Sequence, residues 1–321
     1  MAVISAHSLH SPFSTTPPLL PLRSFPSPPL SKPPRISCSP SPVMGPQTDD
    51  DGGRKMFMEF PYVSAPYRDL MVDLVSTMES RLGPYLLPCT LPPDVQYYHN
   101  RTNTAFGTLH IRSGIKPSHI DFVFGSWLHC KLPSGALNIT SLSAYLSPST
   151  DAPNFLIELI QSSPTSLVLI LDLPPRKDLV LHPDYLQTFY EDTQLDKYRK
   201  QLDKIPEVRP YYSSSLYIRC SVSPTAILVC IETEPGRTER MEEIVRDHVS
   251  VIAKEVFGVW LDHCACGGRE VGETDRARLA KRDLMFKSKS IEIDLGSSLP
   301  RLFGEEVATR VSGVIRDVFN I

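Results

Sequence analysis

One carboxylate in an otherwise apolar stretch is the side chain with the clearest potential for chemistry. Glu158 lies near the centre of residues 154–161, and the positions around it are apolar on both alternating faces. This pattern predicts a strand that is covered on both sides, so the carboxyl group should be buried. Because burying an ionised carboxylate costs several kcal/mol, the group must either meet a cation or keep its proton.

A carboxyl group that keeps its proton near neutral pH can donate that proton to a reacting molecule. Glu158 is therefore a candidate general acid, with a pKa expected to lie above its usual value. The alternative is a buried ion pair, for which Arg112 and Arg219 are the cations considered. The residues alone leave these two hypotheses equally open.

The elements that must position Glu158 are mostly strands in the first half of the chain and helices in the second. Strands are predicted at residues 108–112, 120–128, 137–145, 154–161, 167–173, 216–221 and 226–232, and helices at 67–82, twice within 184–204, 239–263, 275–287 and 305–319. The first five strands follow one another without helices, so they should pair antiparallel with their neighbours, starting with a hairpin. The predicted fold class is α/β, with a central, mostly antiparallel sheet flanked by helices.

The first 48 residues differ in composition from the rest of the chain. They contain no Asp or Glu, are rich in Ser and Pro, and carry only three charges, on Arg23, Lys32 and Arg35. Such a composition is typical of an organelle transit peptide and cannot offset the entropy cost of folding. We interpret residues 1–38 as a chloroplast transit peptide, 39–55 as a disordered linker and 56–321 as a single catalytic domain. A plain disordered tail is the alternative for the first segment.

Several kinds of site lack their sequence signatures. The seven Cys are scattered, with Cys264 and Cys266 the only close pair, so the four-thiolate spacing of zinc and iron–sulfur sites is absent. The chain has neither the glycine fingerprint of a dinucleotide site nor a P-loop, and no predicted helix carries a His pair at ligand spacing. The net charge of −3 argues against nucleic acid as a partner, and no apolar stretch is long enough to cross a bilayer.

Several segments after the transit peptide resemble those of one enzyme family, red chlorophyll catabolite reductase. The clearest are Phe57-Met58-Glu59-Phe60-Pro61-Tyr62, Leu109-His110-Ile111-Arg112-Ser113-Gly114, Leu167-Val168-Leu169-Ile170-Leu171-Asp172-Leu173-Pro174 and Phe303-Gly304-Glu305-Glu306-Val307. The resemblance implies an α/β/α sandwich related to the ferredoxin-dependent bilin reductases, a homodimer, and no bound flavin, nicotinamide or metal. It further implies reduction of an open-chain tetrapyrrole, red chlorophyll catabolite, to the primary fluorescent catabolite, with electrons delivered singly by reduced ferredoxin.

The same resemblance implies which residues meet the pigment. Glu158 and Asp294 match carboxylates that contact the catabolite, and two carboxyl groups on one pocket raise each other's proton affinity. Tyr211, Tyr212 and Ser213 match a stretch that lines the pocket, and Val222 matches an apolar position of variable bulk beside the substrate. Spacing alone would instead place Asp294 on a solvated, strand-like face.

Partners and location are also implied by the resemblance. Pheophorbide a oxygenase and the light-harvesting complex are implied neighbours in the chloroplast stroma or at the thylakoid, and a mitochondrial location is a further alternative. An acidic ferredoxin should dock on a basic surface, for which the densest candidates are Arg276, Arg278, Lys281, Arg282, Lys287 and Lys289. A merely solvated helix face is the alternative for these cations, and a non-catalytic pigment carrier or scavenger is the alternative for the whole protein.

Four further titratable residues are not expected to be catalytic. His110, His119 and His129 lie on or near the predicted hairpin, where a histidine is more often a hydrogen-bonded structural residue. Asp172 ends a very apolar predicted strand just before Pro174, so we expect it to cap the turn that follows.

Overall fold

Within the part of the chain that the structure describes, eight strands form a single antiparallel sheet. They are β1 (Tyr97–His99), β2 (Ala105–Ser113), β3 (Ile120–Leu132), β4 (Gly135–Leu146), β5 (Phe155–Ser163), β6 (Ser166–Asp172), β7 (Val208–Pro210) and β8 (Ile227–Glu232). Their spatial order is β1-β2-β3-β4-β5-β6-β8-β7. The predicted antiparallel pairing of the five consecutive strands is confirmed, including the hairpin of β2 and β3.

The computed structural model describes residues 51–133, 135–267, 269–296 and 298–321. Its helices are α1 (Asp51–Met58), α2 (Ala65–Leu82), α3 (Pro93–Gln96), α4 (Pro183–Leu186), α5 (Asp196–Leu202), α6 (Leu216–Ser221), α7 (Thr238–Ile244), α8 (Ser250–Trp260), α9 (Glu273–Asp294), α10 (Ser298–Phe303) and α11 (Glu305–Phe319). The predicted transit peptide and residues 39–50 lie outside the described residues. None of the described helices combines the length and the apolar character that a membrane-spanning segment requires.

Helices α2, α5, α7 and α8 cover one face of the sheet, which we call the first face. Alternate strand residues such as Trp127, Leu142 and Ile157 point into this layer and are almost fully buried. Helices α7 and α8 are joined by the π-helical turn Val245–Val249, and a second π-helical turn, Leu261–Ala265, follows α8. The helix predicted at residues 239–263 is therefore confirmed.

Helices α9, α10 and α11 lie against the opposite face, which we call the second face. Phe122 and Tyr145 stack there with ring centroids 4.7 Å apart, and Phe319 of α11 stacks on Phe122 at the same distance. Leu109 and Ile315 complete this smaller apolar layer. The fold is therefore an α/β/α sandwich, as predicted.

Helix α1 corrects the predicted extent of the linker. Residues 51–55 were assigned to a disordered segment, but they begin a helix that carries Phe57 into the core. The Phe57 ring lies over Gly125 of β3, where a Cβ atom would come within 2.6 Å of the ring. Only glycine at this strand position allows the helix to approach so closely.

Two sequence predictions in the second half of the chain are wrong. Residues 216–221 form helix α6 rather than a strand. The Ser215 hydroxyl caps this helix by accepting the Ile218 N–H at 3.4 Å, and Ile218 is the residue that the helix buries. Residues 290–294 belong to helix α9, which extends seven residues beyond its predicted end at Lys287. Asp294 is therefore the last residue of a helix and does not lie on a strand.

A fully buried ion pair ties α9 to the sheet. The Arg176 guanidinium donates to both carboxylate oxygens of Asp283, at 3.2 and 2.5 Å, and its remaining N–H groups donate to the carbonyl oxygens of Ser147, Thr150 and Ala152. The Arg176 side chain is completely inaccessible to solvent. Because buried charges are tolerated only when they are paired and hydrogen-bonded, this contact sets the position of α9 above the second face.

Replacing Arg176 with Met should lower the free energy of unfolding by about 3–5 kcal/mol, because the Asp283 carboxylate would stay buried without its cation. Arg199→Met is the matched control, since Arg199 pairs with Asp196 and Asp203 on the half-exposed surface of α5 and should cost less than about 1 kcal/mol. Urea denaturation measures both changes. Equal losses in the two variants would contradict the structural role given to the pair.

Candidate active site

Two small cavities lie between the second face of the sheet and the helices that cover it. The first has a volume of about 50 Å³ and is lined by Glu158, Ser126 and Ser141 from the strands and by Leu295, Leu299 and Ile315 from the helical side. The second has a volume of about 20 Å³ and is lined by Ser143, Leu156, Asp172, Val222, Phe286 and Ser290. Because Ser141 and Ser143 are alternate residues of β4, both cavities open on the same face.

Glu158 is buried, as its sequence context predicts, with 3% of its surface exposed. It pairs in register with Ser141 of β4 and Ile170 of β6, so these three side chains share the second face. The Ser141 hydroxyl hydrogen-bonds the Ser126 hydroxyl at 2.7 Å. The floor around Glu158 is thus a patch of small hydroxyl side chains within an apolar surface.

The structure separates Glu158 from the arginines that the sequence offered as ion-pair partners. Arg112 is opposite Val123 in register, so its side chain leaves the sheet on the first face. There it donates to the carbonyl oxygens of Leu86 and Leu87 at 3.0 and 2.8 Å. Arg219 is exposed on helix α6. The alternative hypothesis of a buried ion pair between Glu158 and Arg112 is therefore wrong.

Asp172 is a second buried carboxyl group on this face, and sequence reasoning assigned it only to a turn. Its register partner is Leu156, two residues from Glu158 along β5, which makes Asp172 a diagonal neighbour of Glu158. The two carboxylate oxygens accept the Ser223 hydroxyl at 2.5 Å and the Ser223 N–H at 3.0 Å. Burial raises the pKa of Asp172 to about 6, although hydrogen bonds from Ser223 and from the Leu173 backbone oppose this rise.

The other substrate-binding residues implied by the resemblance occupy different positions. The Tyr211 N–H donates to the Leu228 carbonyl oxygen at 2.9 Å, which continues the β7–β8 register and puts Tyr211 on the face of Glu158. Burial and, to a lesser extent, the nearby Glu158 raise the pKa of the Tyr211 hydroxyl. Tyr212 is 78% exposed, whereas Ser213 is buried and its hydroxyl accepts the Ser215 N–H at 3.2 Å. Val222 lines the second cavity. The structure therefore brings Glu158, Tyr211 and Val222 to one face and leaves Tyr212 at the surface.

Asp294 ends helix α9 directly before Leu295, which lines the Glu158 cavity. The side chain of Asp294 lies outside the described part of the structure. Its helix is held over the site by the Arg176–Asp283 pair and, one turn further on, by Lys287, which donates to Asp121 at 2.6 Å and lies 4.9 Å from the Phe122 ring centre. The backbone of residue 294 is thus placed on the helical side of the first cavity.

The remaining candidates from the sequence do not join this site. His110 and His129 lie on the first face, where the ring of His129 stacks on Tyr62 and hydrogen-bonds the Asn138 amide oxygen at 2.7 Å. His119 hydrogen-bonds the Ser149 hydroxyl at 2.8 Å. Within the described ranges, no three His, Cys, Asp or Glu side chains are grouped as metal ligands would be.

The family model of red chlorophyll catabolite reductase matches residues 66–317, which include the eight described strands as well as Glu158 and Asp172. This chain belongs to the red chlorophyll catabolite reductase family. The red chlorophyll catabolite reductase of Arabidopsis thaliana, named as chloroplastic, is 52% identical over the full length of both chains. The chloroplastic red chlorophyll catabolite reductase 1 of Oryza sativa subsp. japonica is 47% identical over 81% of this chain and 79% of its own. Family membership confirms the enzyme class predicted from the sequence, an oxidoreductase.

A solved structure shows that the fold is shared more widely than the family. Tomato phytochromobilin synthase, crystallised in complex with biliverdin, superimposes on this red chlorophyll catabolite reductase fold with a TM-score of 0.58. The match covers 79% of this chain and 83% of the tomato chain, at 18% sequence identity. The likeness confirms the predicted bilin-reductase-like architecture.

Replacing Asp172 with Asn should change how stability depends on pH. The folded pKa of about 6 exceeds the ordinary 3.8, so the native state holds this proton more tightly than the unfolded chain does. The parent should therefore lose about 2 kcal/mol relative to the variant as the pH rises from 4 to 7.5. Thermal or urea unfolding at both pH values measures the difference, and exposed Asp317→Asn is the control. Parallel stability curves for Asp172→Asn and the parent would contradict the raised pKa.

Proposed function

We propose that this protein reduces red chlorophyll catabolite, an open-chain tetrapyrrole, to the primary fluorescent chlorophyll catabolite. Electrons would arrive one at a time from reduced ferredoxin, and protons would come from buried carboxylic acids. Family membership supports the substrate, and the observation that carries the mechanism is the burial of Glu158 in a cavity on the second face. A carboxyl group in this position can hold a proton away from water until a reacting atom is next to it.

The protein's own task in such a reaction is to deliver protons at defined atoms. A conjugated pigment can store each incoming electron in its π system, so the protein needs no redox group of its own. What it must supply is an acid beside the carbon that becomes protonated and a surface that holds the pigment in one orientation. Glu158 and Asp294 are the proposed acids, and Tyr211, Tyr212, Ser213 and Val222 the proposed contacts to the pigment.

A tetrapyrrole is much larger than the two cavities. Pockets for ligands of this kind usually enclose about 300–1,000 Å³, whereas the cavities here measure about 20 and 50 Å³. The pigment would therefore bind by separating the α9–α10 layer from the sheet.

The basic surface proposed for ferredoxin is smaller than the sequence suggested. Arg282 donates to the Pro175 carbonyl oxygen and lies over the Phe286 ring, and Lys287 is buried beside Asp121. Lys289 is paired with Glu292 at 2.7 Å. Arg276, Arg278 and Lys281 are the exposed members that remain. Arg278 and Lys281 share one side of α9 and form the surface that we propose for the acidic partner.

We place the protein in the chloroplast stroma as a homodimer, with pheophorbide a oxygenase and the light-harvesting complex as neighbours. The location is supported by the chloroplastic relatives and by the acid-free composition of the first 48 residues.

The decisive experiment is an anaerobic assay with the purified protein, reduced ferredoxin and red chlorophyll catabolite. The proposal requires a fluorescent product and no added cofactor. Pigment that binds, detected by a shift of its absorption, but yields no fluorescent product would identify a carrier or scavenger instead. A tightly held flavin in the purified protein would contradict the proposed route for the electrons.

Glu158→Gln and Asp294→Asn should each lower turnover at least tenfold, because loss of a general acid costs about 10²–10⁴ in rate. Both changes are isosteric, so folding should survive. Exposed Glu255→Gln on α8, in the opposite helical layer, is the matched control and should keep the parent rate. Parent rates for both Glu158→Gln and Asp294→Asn would show that neither residue donates a proton.

Charge reversal at Arg278 and Lys281 should raise the KM for ferredoxin and flatten the dependence of turnover on salt, because exposed charges act through a screened field. In the parent, turnover should fall steeply as ionic strength rises. Lys204→Glu, an exposed lysine on the opposite helical layer, is the matched control. If the double variant and Lys204→Glu behave alike, ferredoxin docks elsewhere.

A further inference from the structure

We propose that Asp172 is a second proton donor of this active site and that it is recharged from solvent through the hydroxyl groups of Ser223 and Thr225. This inference rests on the proposed function, because it assigns one of the two protons that a two-electron reduction consumes. It differs from that function in giving the second proton to Asp172, with Asp294 as a contact to the pigment.

The first argument is the position of Asp172. Its diagonal register to Glu158 places the two residues on one side of the sheet, with their Cα atoms about 7–8 Å apart. Each lines one of the two cavities between the second face and the covering helices. A flat pigment that spans both cavities would therefore lie against both acids. Two electrons added to one molecule require two protons, and this face presents two carboxyl groups.

The second argument is a chain of hydroxyl groups that leads away from Asp172. The Ser223 hydroxyl donates to Asp172 Oδ1 at 2.5 Å, and its oxygen lies 3.1 Å from the Thr225 Oγ1 atom. Ser223 is buried, whereas Thr225 is only half-buried. The three groups thus connect the cavity to the protein surface through two successive hydrogen bonds.

The third argument is the electrostatic setting of Asp172. On α9, Arg282 donates to the Pro175 carbonyl oxygen, Asp283 is paired with Arg176, and Lys287 is paired with Asp121. Arg219 of α6 is exposed, and the Tyr190 hydroxyl donates to the Leu173 carbonyl oxygen at 2.8 Å. The nearest carboxyl group on the sheet face is that of Glu158. The cations of these neighbouring elements therefore contact other groups or face solvent. Burial raises the pKa of Asp172 to about 6.

The proposed step balances in atoms and electrons. A one-electron iron–sulfur donor reduces the pigment to a radical anion. The O–H bond of Asp172 then breaks, a C–H bond forms on the pigment, and a carboxylate remains. That carboxylate takes the proton of Ser223, Ser223 takes the proton of Thr225, and Thr225 recovers one from water. The second electron and the Glu158 proton complete the reduction.

Single-turnover and steady-state rates separate donation from recharging. With pre-reduced ferredoxin and one equivalent of pigment near pH 5, Thr225→Val should match the parent in the single turnover, because Asp172 is then mostly protonated at the start. In the steady state the same variant should be about tenfold slower, since the hydroxyl chain is broken. Thr225→Ser keeps the hydroxyl and should match the parent in both measurements. Asp172→Asn should be at least tenfold slower in both.

The controls distinguish this inference from the proposed function. Parent protein that forms no fluorescent product would contradict the proposed function itself. An active parent together with Asp172→Asn at the parent rate would overturn the inference alone. If Asp172→Asn fails to fold, the two rates of Thr225→Val test the inference instead. Thr225 is half-buried and lies outside the cavity lining, so this variant should fold. Identical steady-state rates for Thr225→Val and Thr225→Ser would show that no proton passes through this chain.

Discussion

The buried ion pair between Arg176 and Asp283 is the contact on which the second face of the sheet depends. Helix α9 presents a row of buried residues at helical spacing to the rest of the protein, namely Leu279, Asp283, Lys287 and Ile291, and two of these four are charged. An apolar row could slide or rotate at modest cost, but a guanidinium that grips a carboxylate with two hydrogen bonds allows one position. Phe286, Ser290 and Leu295 reach the cavities because that position is set.

The two buried carboxyl groups on the second face show how a sheet can hold polar groups inside an apolar layer. Because side chains alternate along a strand, Glu158 and Asp172 lie on the same face, and the neighbouring strands surround them with apolar and hydroxyl side chains. Burial raises the pKa of Asp172, and the two hydrogen bonds from Ser223 reduce the cost of its ionised form. The fold thus holds Asp172 at a cost in stability near neutral pH.

The strands and the burial of Glu158 could be predicted because apolar alternation is a local signal. The place of Asp172 in the candidate site could not be predicted, because its main partner, Ser223, is 51 residues away and no local sequence pattern indicates that contact. Helix α9 was cut short because its buried row contains Asp283 and Lys287, so its apolar spacing is interrupted where the ion pairs lie. Helix α6 was read as a strand because Leu216, Ile218 and Cys220 alternate, although the cap at Ser215 favours a helix. Tertiary contacts decided the cases of Asp172 and α9, and a local cap decided that of α6.

The contact between Phe57 and Gly125 makes the start of α1 part of the folded domain. The ring fills the space above the bare backbone of β3, beside the rings of Trp127 and His110. A truncation that removed α1 would leave a gap there, so a shortened protein that keeps its core must retain the helix from Asp51 onward.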